Sequence, residues 1–120
     1  MSARFAAMLL AVVVIGGCGA ERPVPEEARP EWLTTLIREL ESQPAANPPA
    51  FIARYDYEGQ TVYYLPPRCC DIRSNLYDAK GAIVCHPDGG ITGGGDGRCP
   101  DFFAVRTDEK ILWQDTRGGG

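Results

Sequence analysis

The sequence predicts a small α+β domain: one N-terminal amphipathic helix packed on a small, mainly antiparallel sheet, with a disulfide-pinned glycine-rich loop. Three observations carry that expectation. Trp32, Leu33, Leu36, Ile37 and Leu40 recur at helical spacing. Residues 51–65 alternate apolar and polar positions around Glu58-Gly59, as a hairpin does. Cys85 and Cys99 flank a stretch dominated by glycine, with Cys69 and Cys70 a short distance upstream.

The helix has a clear entrance and exit. Pro30 stands where a missing N–H costs nothing, and Glu31 suits the positive end of the helix dipole. Pro44 and then Pro48-Pro49 end it and stiffen the crossing to the next element. In so short a chain the apolar stripe is expected to be the domain's own core rather than a partner-binding face.

The hairpin register follows from a two-residue turn at Glu58-Gly59. Tyr57 then faces Gln60, Tyr55 faces Val62, and Ala53 faces Tyr64. Phe51, Ala53, Tyr55, Val62 and Tyr64 line one face, expected to be the one under the helix. Arg54, Asp56, Thr61 and Tyr63 face the other way. The tyrosines read as cross-strand packing pairs. A second hairpin is expected from Leu76-Tyr77 and Ala82 to Cys85, around the turn Asp78-Ala79-Lys80-Gly81. Pro87 to Pro100 is loop by composition. Phe102 to Val105 is a further apolar run, and Ile111-Leu112-Trp113 reads as a closing strand.

Ahead of this domain lies a segment of another kind. Arg4 precedes an almost unbroken apolar run from Phe5 to Ile15, and Gly16-Gly17-Cys18 closes it. The run is too short to span a bilayer and has the form of a secretory signal. Its end resembles the lipobox of bacterial lipoproteins, in which a cysteine after an aliphatic and two small residues is lipidated and becomes the new N-terminus. The expected organisation is a signal peptide at 1–17 and a lipidated Cys18 with a proline-rich tether at 18–30. A single cysteine-containing domain at 31–115 and a disordered tail at 116–120 follow. Residue 19 is glycine, not the aspartate that resembles an inner-membrane retention signal. The outer membrane, facing the periplasm, is therefore the expected address in a host with two membranes.

Loss of the signal leaves 11 Lys+Arg against 16 Asp+Glu, a mildly acidic chain. That argues against nucleic acid and against electrostatic adhesion to anionic lipid, so the lipid on Cys18 must hold the protein to the membrane. In an oxidising envelope Cys69, Cys70, Cys85 and Cys99 are expected to form two disulfides. Adjacent extended residues point apart, so Cys69 and Cys70 are each expected to reach a different partner rather than each other. Which of them reaches Cys85 and which Cys99 stays open.

The stretch to weigh for chemistry is His86 to Asp101. Its glycines allow close backbone approach, but no Gly-Lys-Ser/Thr follows to make a phosphate loop. Asp88, Asp96 and Asp101 fit neither an EF-hand nor a repeated calcium motif, and they are expected to shape turns, pointing outward and apart. His86, the single histidine, stands beside Cys85 and so points away from it in a strand, a poor start for a Cys–His hydrolase. Zinc held by Cys69, Cys70, Cys85, His86 and Cys99 lacks a C-x-x-C knuckle. No catalytic residue, metal or cofactor is expected.

The series Trp32-Leu33, Asn47-Pro48-Pro49-Ala50, Thr61-Val62-Tyr63-Tyr64, Cys69-Cys70-Asp71, Leu76-Tyr77-Asp78 and Asp88 through Phe102 resembles a family of small bacterial envelope lipoproteins catalogued only as a domain of unknown function. The resemblance implies one compact cysteine-containing module behind a lipoprotein signal, and it carries no activity over. The function expected is that of a non-enzymatic binding or scaffolding module with an envelope protein as partner. The alternatives are a small disulfide-rich hydrolase inhibitor and a metal-binding or enzymatic protein using the glycine and aspartate loop.

Overall fold

The computed structural model describes residues 29–117. The expected signal at 1–17, the lipidation site Cys18, the tether as far as residue 28, and Gly118 to Gly120 lie outside the described residues. The described chain forms α1 (Glu31–Ser42), β1 (Phe51–Tyr57), β2 (Gln60–Leu65), β3 (Asn75–Tyr77) and β4 (Ile83–Cys85). These are followed by the one-turn helix α2 (Phe102–Val105) and β5 (Thr107–Gln114). The strands make one antiparallel sheet in the order β4-β3-β2-β1-β5. The chain meanders from β1 to β4, then returns through the glycine loop and α2 to place β5 beside β1.

The first hairpin has the register its turn predicts, with Tyr57 opposite Gln60, Tyr55 opposite Val62 and Ala53 opposite Tyr64. Glu58 and Gly59 both take positive φ, 51° and 74°, as the turn that matches the strand twist requires. The second hairpin closes through Asp78, whose Oδ1 accepts N–H bonds from Lys80 at 2.8 Å and Ala82 at 3.0 Å.

Both faces of the sheet are buried, and the expected assignment of the faces is reversed. Leu33 and Ile37 of α1 pack with Ile52, Tyr63 and Leu65, not with the Ala53, Tyr55, Val62 and Tyr64 face. Trp32 lies edge-on to Tyr63, with ring centroids 5.2 Å apart, and also meets Tyr77. The opposite face is closed by the return path: Phe102 of α2 is fully buried against Tyr55, Tyr57 and Tyr64. Alternation along a strand separates two faces without saying which later segment covers each. Here the tyrosine-rich face received the glycine loop and α2, and Ile52, Tyr63 and Leu65 received the helix. Burial of each large aliphatic side chain contributes about 1.5–3 kcal/mol, so neither layer is dispensable.

The disulfide pairing also differs from expectation. Cys85 and Cys99 are at bonding distance, and so are Cys69 and Cys70. The expectation that adjacent cysteines point apart assumed extended backbone. Cys70 instead has φ +46° within a turn in which Ile72 N donates to Cys69 O at 2.9 Å. The turn brings the two side chains to the same side. At the other end of the chain, Arg117 lies in the segment expected to be a disordered tail. Its guanidinium donates to Asp115 and to the carbonyls of Leu40 and Glu41, tying the end of β5 to the end of α1.

Candidate functional site

Two segments without regular structure meet beside the β3–β4 hairpin: the turn from Cys69 to Ser74 and the glycine loop from His86 onward. Ser74 is their latch. It is fully buried, its Oγ accepts from Asp88 N at 3.0 Å and donates to Asp88 O at 3.2 Å, and its backbone N–H donates to Asp88 O at 2.9 Å. Its carbonyl accepts from His86 Nδ1 at 2.8 Å. A carbonyl only accepts, so Nδ1 carries the proton and Nε2 is the ring atom left for other partners.

The latch holds open a cleft of about 680 Å³ lined by Asp71, Ile72, Arg73 and Asn75 on one wall and His86 and Gly90 to Thr92 on the other. Gly90 N donates to Ile72 O at 3.3 Å, and Arg73 bridges to Gly89. The glycines matter here. A Cβ at Gly90 would lie 3.1 Å from Arg73 Cγ, so the bare backbone lets the arginine stem run across the loop. Among the described residues Arg73 has no ion-pair partner. Ile72 is 52% exposed and Ile91 is 91% exposed, which leaves two aliphatic side chains beside an uncommitted guanidinium.

The three loop carboxylates do not converge, and two of them turn inward, contrary to expectation. Asp88 Oδ1 accepts the Tyr64 hydroxyl at 2.9 Å and Asp101 Oδ1 accepts the Tyr57 hydroxyl at 2.7 Å. Both tyrosine pKa values are pushed well above the usual range, Tyr64 by burial and then by Asp88, Tyr57 by Asp101 and then by burial. A tyrosine hydroxyl brought under a packed loop needs an acceptor, and these aspartates supply it. Asp96 shapes a turn as expected, accepting from Arg98 N at 3.0 Å. Burial works to raise its pKa, yet the N–H groups of Arg98 and His86 hold the carboxyl below its ordinary value. Among the described residues no group of three or more His, Cys, Asp and Glu is placed to hold a metal ion.

His86 does not address a thiol, because Cys85 is buried and bonded to Cys99 in the core. A second polar notch, which no motif signals, collects Arg54, Asp56, Asp108 and Lys110 on the sheet. The Asp56 carboxyl is raised by its hydrogen bond with Asp108, then by partial burial and the charge of Asp108, against the opposing Arg54 and Lys110. These residues join across β1 and β5, which meet only by long-range pairing. Sequence reasoning also missed Ser74 and Arg73, one an ordinary polar residue and the other one arginine among several.

The fold defines a small α+β domain with two cysteine pairs at bonding distance and a cleft between its loops. The chain belongs to the family described as a domain of unknown function (DUF6970), which matches residues 38–115. The match bears out the resemblance of the motif series from Trp32 through Phe102 to a family catalogued only as a domain of unknown function. No curated protein and no solved structure matches the chain.

Proposed function

We propose that this protein is a lipid-anchored bacterial cell-envelope lipoprotein that acts by binding an envelope protein, without catalysis. In this reading the amphipathic helix is core and the disulfide-pinned glycine loop is the recognition element. Cys18, after Ile15-Gly16-Gly17, carries the lipid, and Gly19 directs the protein to the outer membrane, facing the periplasm, where the host has two membranes. The observation that carries the binding role is the composition of the cleft: exposed Ile72 beside Arg73 on one wall and exposed Ile91 on the other, braced by Ser74. Such a group suits a partner that offers a carboxylate to the guanidinium and apolar surface to the isoleucines.

Photo-crosslinking from position 91 in the native envelope tests this. A single protein partner is expected, captured several-fold less with Arg73→Gln. Capture that ignores Arg73, or no capture, removes the cleft from the binding role. The anchor is tested separately: Cys18→Ser is expected to release the protein from membranes with the domain still folded, and unchanged membrane retention would reject it. A second reading, a hydrolase inhibitor, is favoured by Ile91 standing 91% exposed on a loop closed by Cys85–Cys99. A hydrolase as the crosslinked partner, inhibited by the purified domain, would select it.

A further inference from the structure

The two disulfides have different physical roles. Cys85 and Cys99 are 1% and 4% exposed, lie in the core cluster with Phe102, and close the glycine loop. Cys69 and Cys70 are exposed and adjacent. A cross-link stabilises a fold chiefly by closing a loop that the unfolded chain would leave free, and a bond between neighbours closes none. This one joins no two elements either, so stability does not account for it. It also holds Cys70 at φ +46°, a backbone conformation that residues with a Cβ avoid.

Accessibility separates the pairs in the same way. Thiol–disulfide exchange requires a thiolate to reach a sulfur, and exposed disulfides are the labile ones. We propose that Cys69–Cys70 is a thiol–disulfide exchange site that accepts two electrons from a dithiol reductant while Cys85–Cys99 remains oxidised. A reductant thiolate attacks one sulfur, the Cys69–Cys70 bond breaks, and the electron pair leaves on the other sulfur, which takes up a proton. The second thiol of the reductant, as thiolate, then attacks the mixed disulfide. The released cysteine sulfur is protonated, leaving two thiols on this protein and one disulfide on the reductant.

The site lies at the edge of the cleft. Its turn runs directly into Ile72 and Arg73, which contact Gly90 and Gly89. Opening the small ring frees Cys70 to leave the left-handed region and so changes the wall that carries Arg73. The exchange reaction goes beyond the binding reading and stands whether or not the cleft takes a partner.

The test uses the full-length oxidised protein under native conditions with graded dithiothreitol, trapping by N-ethylmaleimide and peptide mapping by mass. Label is expected at both Cys69 and Cys70 more than about 100-fold faster than at Cys85 and Cys99, since buried groups react only through opening of the fold. Reoxidation by glutathione disulfide should remove the reactive pair, and Cys69→Ser/Cys70→Ser should abolish the fast labelling. Nuclear magnetic resonance shifts on reduction should be confined to residues 69–75 and to the facing Gly89 and Gly90. Labelling of both pairs together would overturn the proposal. So would an absence of thiols short of unfolding, or a map that bonds Cys69 or Cys70 to Cys85 or Cys99.

Discussion

Gly81 shows how much a single position can depend on lacking a side chain. It closes the β3–β4 turn at φ +85°, and a Cβ there would lie 2.6 Å from Trp32 Cδ2. The indole is held on three sides, by Tyr63, by Tyr77 and by its Nε1 hydrogen bond to Ala79 O at 3.0 Å. Neither the backbone nor the ring can yield cheaply. Gly81→Ala is therefore expected to cost about 1–3 kcal/mol, from overpacking added to an unfavourable φ. Urea unfolding measures the loss, and a near-ultraviolet circular dichroism change from Trp32 should accompany it. The turn itself was readable from Asp78-Ala79-Lys80-Gly81, because its residues carry their own backbone preferences. The packing of Trp32 over Gly81 was not, because the two are far apart in the chain.

Among the elements, the glycine loop depends on its staple. Cys85–Cys99 spans 14 residues of separation and holds the loop end against β4 beside Phe102. Replacing the pair by Cys85→Ala/Cys99→Ala is expected to cost about 3 kcal/mol or more, from restored loop entropy and lost packing. Cys69→Ala/Cys70→Ala is expected to shift stability by less than about 1 kcal/mol, since it frees no loop. Denaturant midpoints of the two variants make the comparison. Only part of this was legible beforehand. The four cysteines of the domain pointed to two bridges, but the pairing turned on the conformation of one turn residue, Cys70. The same limit explains the exchanged sheet faces. Periodicity marked Tyr55 and Val62 as one side and Tyr63 as the other, while the cover on each side was decided by the return path through α2.

For the whole molecule, buried tyrosines set the response to alkali. Burial pushes Tyr55 up to about 12 with help from its bond to Glu109, and Tyr57, Tyr64 and Tyr77 are raised as well. Their folded values exceed the unfolded value near 10, so the folded state favours the neutral phenols. The stability they contribute is complete below pH 10 and is lost as pH rises through the folded values. Melting temperature is expected to fall steadily above pH 10, with tyrosinate absorbance rising together with unfolding. Raised values that titrate without unfolding would show that these hydroxyls are more open than their packing implies. On the acid side, the Arg117 guanidinium lowers the Asp115 carboxyl, and that contribution is lost as pH falls through its depressed value.

By itself the sequence determined the elements that depend on near neighbours: the helix stripe from Trp32 to Leu40, the hairpin and its register, and the Asp78 turn. Each is written in spacings of a few residues, where backbone preference and side-chain period act directly. Tertiary structure alone decided which layer covers each face of the sheet, that Asp88 and Asp101 turn inward to accept tyrosine hydroxyls, and that Ser74 braces a cleft around Arg73. Those outcomes depend on burial and on polar groups finding partners across long stretches of chain. A buried hydroxyl must be satisfied by whatever the fold brings near it, and local spacing does not record what that will be.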